Sequence, residues 1–209
     1  MVYMSTNAQA KYHYMILSIA PRIVFAENAI DNQQCNDIIN SSIEFVNSGV
    51  YDQSGNALEN SYYRNSMTYK DTSGIFTNLQ ELAVLLSKQY APHADFNVVP
   101  EPVQIQKYAL GQEYKSHCDF STLLSFSKVF EKPRVATVIF YLNDDFIGGH
   151  TYFDRLQLEV KPVTGAALVF YYPSDNFELG MLTEHCGKPV TNGTKYIATV
   201  WLQSNTLVK

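Results

Sequence analysis

From about Val98 to the end of the sequence, apolar residues alternate with polar ones at a period of two. That pattern restricts this half of the chain to half-buried strands. The best runs are 103–108, 134–142, 156–160, 166–171 and 196–202, all rich in β-branched and aromatic residues. Turn chemistry separates them: Gly111, Asn143-Asp144-Asp145, Gly148-Gly149, 162–165, 173–175 and Asn192-Gly193. Short strands in such number must close over a shared apolar layer, because a lone sheet leaves one face wet.

The first half carries two helical signals. Asp31 is placed as an N-cap with Gln34 closing a capping box and Ile30 stapling against Cys35. Cys35, Ile38, Ile39, Ile43 and Val46 then recur at helical spacing, with Gly49 as the stop. The second helix runs through Phe76, Leu79, Leu82, Ala83, Leu86 and Tyr90, and Pro92 ends it. Residues 50–72 between them are polar and rich in Asn, Ser and Tyr, an irregular excursion of functional length. The order predicts an α+β chain: a double-stranded β-helix, or jelly-roll, core over about 98–205, with helices packed outside it from the N-terminal half, about 23–95. No repeat, low-complexity tract or linker interrupts it, so 1–209 reads as a single domain.

Composition excludes several roles. The formal net charge is −5 and the basic residues are scattered singly, which speaks against a nucleic-acid partner. The apolar run 15–20 is cut short by Pro21 and Arg22 with no small-residue cleavage site, and no run approaches the ~20 residues of a spanning helix, so no membrane partner is expected. Cys35, Cys118 and Cys186 form no C-x-x-C pair, and their odd number does not fit a disulfide framework. A soluble chain in a cytoplasmic or otherwise intracellular setting is expected.

The sharpest local feature is His117-Cys118-Asp119. In extended backbone, residues two apart point to the same side, so His117 and Asp119 can offer an imidazole and a carboxylate to one ion while Cys118 faces away. His185, between the last two predicted strands, is the candidate third ligand. Two histidines and a carboxylate leave three cis positions open, the arrangement of non-haem iron sites that bind a co-substrate and O2 together. An isolated H-x-D pair is weak on its own. Cys118 and Cys186 invite a thiolate zinc reading, but their spacing matches none of the usual zinc patterns, and buried, unreactive cysteines are expected at both positions.

Lys195, Ile197, Thr199 and Trp201 share one face of the final strand, which puts a lone cation at the head of a mostly apolar stripe. An inward lysine demands an anion, whereas one at the strand mouth would keep its amine in water. Tyr108, at the end of an earlier strand, can bring a hydroxyl to the same anion.

The stretch Glu101-Pro-Val-Gln-Ile-Gln-Lys-Tyr-Ala-Leu-Gly-Gln-Glu-Tyr-Lys-Ser-His-Cys-Asp119 resembles the prolyl 4-hydroxylase signature, in which a tyrosine and a G-Q-x-Y turn precede H-x-D. Residues 134–151, with R-V-A-T-V-I-F-Y-L-N-D and G-G-x-T, resemble the next block of that family; 162–170 and 185–201 resemble the last. Arg64-Asn-Ser66 is similar to its short upstream R-x-S element. The resemblance implies Fe(II) held by His117, Asp119 and His185 as the catalytic and metal-binding set. It also implies 2-oxoglutarate held by Lys195 with Tyr108 and Thr151 assisting and Trp201 walling the pocket. O2 and ascorbate complete the expected requirements.

The implied reaction is hydroxylation of a peptidyl proline at C4, with release of succinate and CO2. The implied partner is a proline-containing peptide or protein, whose groove walls would be Tyr62-Tyr63-Arg64 and the segment 121–132 with Phe126 and Phe130. The sequence departs from the family at His150, where glutamate is common; an exposed turn residue is the expectation there. Two alternatives stand beside this reading: a related dioxygenase acting on a free amino acid or other small substrate, and a non-enzymatic jelly-roll binding module. Sequence does not fix the oligomeric state.

Overall fold

The computed structural model describes residues 3–4, 13–41, 43–51, 57–58, 62–91, 97–120, 132–173 and 176–205. They form a mostly-sheet structure with few helices. The larger sheet is antiparallel throughout, in the order Tyr3–Met4, Tyr14–Ser18, Ile23–Ala26, Ala167–Tyr171, Arg134–Tyr141, Lys195–Ser204, Gln104–Tyr108, Met67–Lys70, Val46–Asn47, with Val98–Pro100 also pairing Lys195–Ser204. A second sheet of four strands runs Tyr114–His117, His185–Gly187, Thr151–Phe153, Leu158–Val160.

The period-two pattern sorts the central strands into two cores. Val138, Phe140, Val169, Ala198, Val200 and Leu202 face one way and share a cluster with Cys35, Ile38, Leu79, Ala83 and Leu86 of the helices Asn32–Ile39 and Thr77–Tyr90. Ile139, Tyr141, Leu168, Phe170 and Ile197 face the other way, against Phe153 and Val160 of the four-stranded sheet. One residue of slip in register would exchange the two sets, so burial of both faces fixes the pairing.

The helix over 77–90 agrees with the expected spacing, and the expected capping box at Asp31 forms, its carboxylate accepting from Gln34 N at 2.7 Å. Three expectations need correction. The first helix stops at Ile39 instead of running to Gly49, because Ser41 Oγ caps the Ile38 carbonyl and the chain turns into the strand Val46–Asn47. Ile43 and Phe45 pack on the core two residues apart, and Val46, read as an apolar helix position, is exposed. Ile23–Ala26 is a fully buried strand of the large sheet, not part of a helical support, and the segment once resembling a leader core supplies Tyr14–Ser18 beside it. The excursion 50–72 contains a true strand, Met67–Lys70, paired with Gln104–Tyr108. Its polar residues hid it: Ser48, Ser66 and Thr68 bond one another under the buried Arg64, so this face of the sheet edge is satisfied by hydroxyls instead of apolar packing.

The stretch 121–131, which includes Phe126 and Phe130, lies outside the described residues. Among the described residues no helix is long and apolar enough to cross a membrane.

Asp71 nucleates the longer helix. Its carboxylate accepts from the backbone N–H groups of Ser73, Gly74, Ile75 and Phe76, the last at 2.6 Å. Asp71→Ala leaves those donors without their shared acceptor. It should lower stability by about 2 kcal/mol, somewhat more than the loss of a single N-cap bond. Urea unfolding monitored by circular dichroism measures it.

Candidate metal centre

The strand Tyr114–His117 pairs antiparallel with His185–Gly187, and in that register His117 stands opposite His185. On its other side His185 pairs with Phe153. The two imidazoles, from distant parts of the sequence, are thus brought to adjacent positions on one inner wall, with ring centroids 4.4 Å apart. Asp119 follows His117 just past the strand end. One donor atom from each of His117, Asp119 and His185 can be chosen so that all lie within 4.8 Å of one another.

Both rings are oriented for this. His117 Nδ1 meets the Lys115 carbonyl at 2.8 Å, and His185 Nδ1 meets the Thr183 carbonyl at 2.9 Å. A carbonyl only accepts, so each Nδ1 carries a proton, which makes Nε2 the nitrogen each ring can offer to a metal. Those Nε2 atoms face the carboxylate, at 3.4 Å from Asp119 Oδ1 for His117 and 3.7 Å from Oδ2 for His185.

His117 is further fixed by Tyr114, whose ring stacks on it at 3.6 Å between centroids, with the Arg64 guanidinium over the far side of the same tyrosine ring. Phe170 and Phe153 flank His185. Burial pushes the His185 pKa down to about 4, so its ring is a neutral donor at physiological pH. Burial alone would raise the Asp119 carboxyl, but His185, His117 and Arg134 outweigh it and hold the group ionised far below the ordinary range. The donor set therefore suits a divalent ion of borderline hardness: two imidazoles and one anionic oxygen.

The same cavity is lined by Tyr108, Thr151, Lys195 and Trp201, as well as the three possible ligands. Lys195 is 2% exposed, and among the described residues no carboxylate lies within ion-pair distance of it. Its ammonium donates to the Gly149 carbonyl at 2.5 Å and lies 5.3 Å from the Tyr108 ring centroid. Burial lowers its pKa to about 8. Gly148 and Gly149 bring the backbone this close: both have positive φ, and a Cβ on Gly149 would stand 2.8 Å from the Phe146 ring and 3.1 Å from Lys195 Cδ. Trp201 is 7% exposed, its Nε1 has no hydrogen-bond partner among the described residues, and the Arg134 guanidinium stacks on its ring at 4.1 Å. Among the described residues the cavity thus holds a buried lysine with no carboxylate beside it and a buried indole N–H with no acceptor, donors that an acidic ligand would satisfy.

Sequence reasoning missed several neighbours. Tyr141 OH bonds Thr151 Oγ1 at 2.8 Å inside the cavity wall, and the Y-L-N-D run gave its place but not its direction. Arg134 forms a bidentate pair with Glu101 and donates to the Asp119 carbonyl at 3.2 Å. Cys118 and Cys186 are only half-buried, not the fully buried residues expected. Cys118 Sγ faces Met181 Sδ at 3.9 Å, Cys186 borders the cavity, and neither sulfur joins the grouped donors. His150 is half-buried and pairs with Glu159 at 3.1 Å on the outer face of the smaller sheet.

Comparison with known proteins agrees with this geometry. Residues 103–203 match the profile of the 2OG-Fe(II) oxygenase superfamily. A putative prolyl 4-hydroxylase of Acanthamoeba polyphaga mimivirus is 40% identical over 108 residues, which are 49% of this chain and 45% of that protein. The chain thus spans less than half the length of that relative. Probable prolyl 4-hydroxylase 9 of Arabidopsis thaliana is 28% identical over 211 residues, covering 91% of this chain and 71% of the relative. Among solved structures, a viral collagen prolyl hydroxylase from Paramecium Bursaria Chlorella virus-1, in complex with 2OG, superposes with a TM-score of 0.68 at 22% identity, covering 87% of this chain and 96% of that one. A Trichoplax adhaerens prolyl hydroxylase bound to a hypoxia inducible factor oxygen degradation domain peptide fragment gives 0.63 at 17% identity, covering 87% and 83%.

The buried ammonium has a measurable signature without any ligand. A lysine that titrates near 8 when folded and near 10.5 when unfolded binds fewer protons in the folded state between those values. Its burial therefore costs stability fully below about pH 8, and the cost fades as pH rises toward 10.5. Lys195→Met should accordingly stabilise the ligand-free chain at pH 7, by about 3 kcal/mol, with the gain vanishing above about pH 10. Thermal unfolding of both chains across that range checks it.

Proposed function

We propose, from the match of residues 103–203 to the 2OG-Fe(II) oxygenase superfamily, that the chain is a prolyl 4-hydroxylase that uses Fe(II), 2-oxoglutarate and O2 to hydroxylate a peptidyl proline. The observation that carries the proposal is the shared cavity: His117, His185 and the Asp119 carboxylate line it together with Lys195, which has no carboxylate partner among the described residues. The names of the relatives support proline as the target. The two facing sheets are read as a double-stranded β-helix, and the cores that join them to both helices support one domain.

His117, Asp119 and His185 would hold the iron, and the donor set fits it. When bound, Fe(II) with 2-oxoglutarate supplies the O2-dependent oxidation that releases succinate and CO2 and hydroxylates a carbon, with ascorbate keeping the metal reduced. The chain's part is binding, orientation and exclusion of water. Lys195 receives the distal carboxylate of the co-substrate, where low polarity strengthens the attraction. The Tyr141–Thr151 hydroxyl pair and Tyr108 border that end, and the Trp201 indole N–H supplies a donor along the wall.

A proline-containing peptide has a ready approach past the exposed Tyr62 and Tyr63, which pack edge to face and lie one and two positions before Arg64. Aromatic faces of this kind suit extended proline-rich chains. Three free cysteines fit an intracellular setting.

Incubation with Fe(II), 2-oxoglutarate and ascorbate should convert proline-rich peptides to products one oxygen heavier at proline, with one succinate per hydroxylation. Mass spectrometry reads both. Turnover of free proline with none of the peptides would instead make the chain a small-substrate dioxygenase. Asp119→Ala and His185→Ala should abolish turnover. Lys195→Met should weaken 2-oxoglutarate binding at least a hundredfold, the equivalent of about 3 kcal/mol, because it strands a carboxylate in the cavity. In the native chain 2-oxoglutarate affinity should fall as the pH rises above about 8, where Lys195 loses its proton; calorimetric titration measures both effects.

A further inference from the structure

Two hydroxyl groups converge on one oxygen of Asp119. Thr137 Oγ1 donates to Oδ2 at 2.8 Å, and Tyr172 OH lies 3.3 Å from the same atom. The two hydroxyls also bond each other. Each has a single proton to give. Thr137 places its own on the carboxylate, so the Tyr172 proton goes either to Oδ2 itself or to the threonine oxygen, where it supports Oδ2 through Thr137. Thr137 is fully buried and Tyr172 nearly so, which leaves no solvent to stand in for either.

Their backbones do not move freely. Thr137 sits mid-strand in Arg134–Tyr141, opposite Phe170 on one side and Trp201 on the other, and Tyr172 N donates to the Val135 carbonyl at 2.9 Å. The Phe120 and Phe170 rings pack on the Tyr172 ring at 5.3 and 5.8 Å.

Oδ1 is differently placed. It is the oxygen nearer His117 Nε2, whereas Oδ2 is 3.7 Å from His185 Nε2 and already engaged by the hydroxyls. From this geometry we infer that Thr137 and Tyr172 are positioning residues that occupy Asp119 Oδ2, so that the carboxylate offers a metal Oδ1 alone. A carboxylate free to rotate could grip an ion with both oxygens and close a position the co-substrate needs; a donor on a buried strand and a second one tied to that strand by its backbone prevent that. The inference rests on the reading of His117, Asp119 and His185 as metal ligands. It adds two residues that no metal motif contains, since a threonine in the middle of a buried strand and a tyrosine after the next one read as core.

The test is Mn(II) titration of the full chain, following free Mn(II) by electron paramagnetic resonance. Thr137→Val keeps the shape and removes the donor, and Mn(II) affinity should fall about ten- to hundredfold, the usual effect of losing a partner of a metal ligand. Thr137→Ser should restore affinity to within a few-fold of the native chain, a rescue that a purely space-filling role would not produce. Tyr172→Phe should weaken binding several-fold while leaving thermal unfolding of the metal-free chain nearly unchanged. Native Mn(II) affinity in folded Thr137→Val, or in Tyr172→Phe should Thr137→Val fail to fold, would overturn the inference. Asp119→Ala separates the two levels: if it loses Mn(II) while Thr137→Val and Tyr172→Phe keep it, only the positioning role falls, and if it binds Mn(II) as the native chain does, the metal-site reading falls with it.

Discussion

The antiparallel register between Tyr114–His117 and His185–Gly187 is the constraint on which the rest of the site depends. It sets two imidazoles from distant parts of the sequence side by side on a buried wall, and it does so with backbone hydrogen bonds, before any ligand arrives. Because a one-residue slip would turn both rings to the opposite face, everything that fixes the register also fixes the site. Phe153 and Phe170 packing on His185, and Tyr114 stacked on His117, therefore hold the candidate metal site as much as they fill the core.

Around that wall the polar groups are arranged by what they lack. The imidazole Nδ1 atoms are committed to carbonyls, Asp119 Oδ2 to two hydroxyls, and Arg134 to Glu101 and the Trp201 ring. Among the described residues a short set is left to meet a ligand: the two Nε2 atoms beside Asp119, the Lys195 ammonium, which has no carboxylate partner, and the Trp201 N–H. Burying such groups unpaired costs stability in the empty protein, and a site that accepts the cost is built for binding. The same lysine that would recognise an anion is the one whose burial weakens the ligand-free fold.

Much of this was legible in the sequence. The period-two stripe Lys195, Ile197, Thr199, Trp201 predicted one inward face, and the structure puts all four on the cavity. The H-x-D spacing predicted a shared direction for His117 and Asp119, and His185 joins them. The failures share a cause, which is that local pattern does not report what lies across the sheet. Ile43 and Val46 fit a helical period as well as they fit the extended path they take, and only the pairing of Val46–Asn47 with Met67–Lys70 decides between them. Ile23–Ala26 is too short and too uniformly apolar to show any period, yet it completes the sheet beside Ala167–Tyr171. Thr137 and Tyr172 gave no signal because their role lies in hydroxyl direction, which depends on tertiary placement.

The most direct test of the account is crystallography of the chain loaded with Mn(II), locating the ion by its anomalous scattering. A single ion bound by His117 Nε2, His185 Nε2 and one oxygen of Asp119, with Lys195 across the same cavity, is the result the account predicts. An ion held at ~2.3 Å by the sulfur of Cys118 or Cys186, or one bound away from this wall altogether, would contradict it.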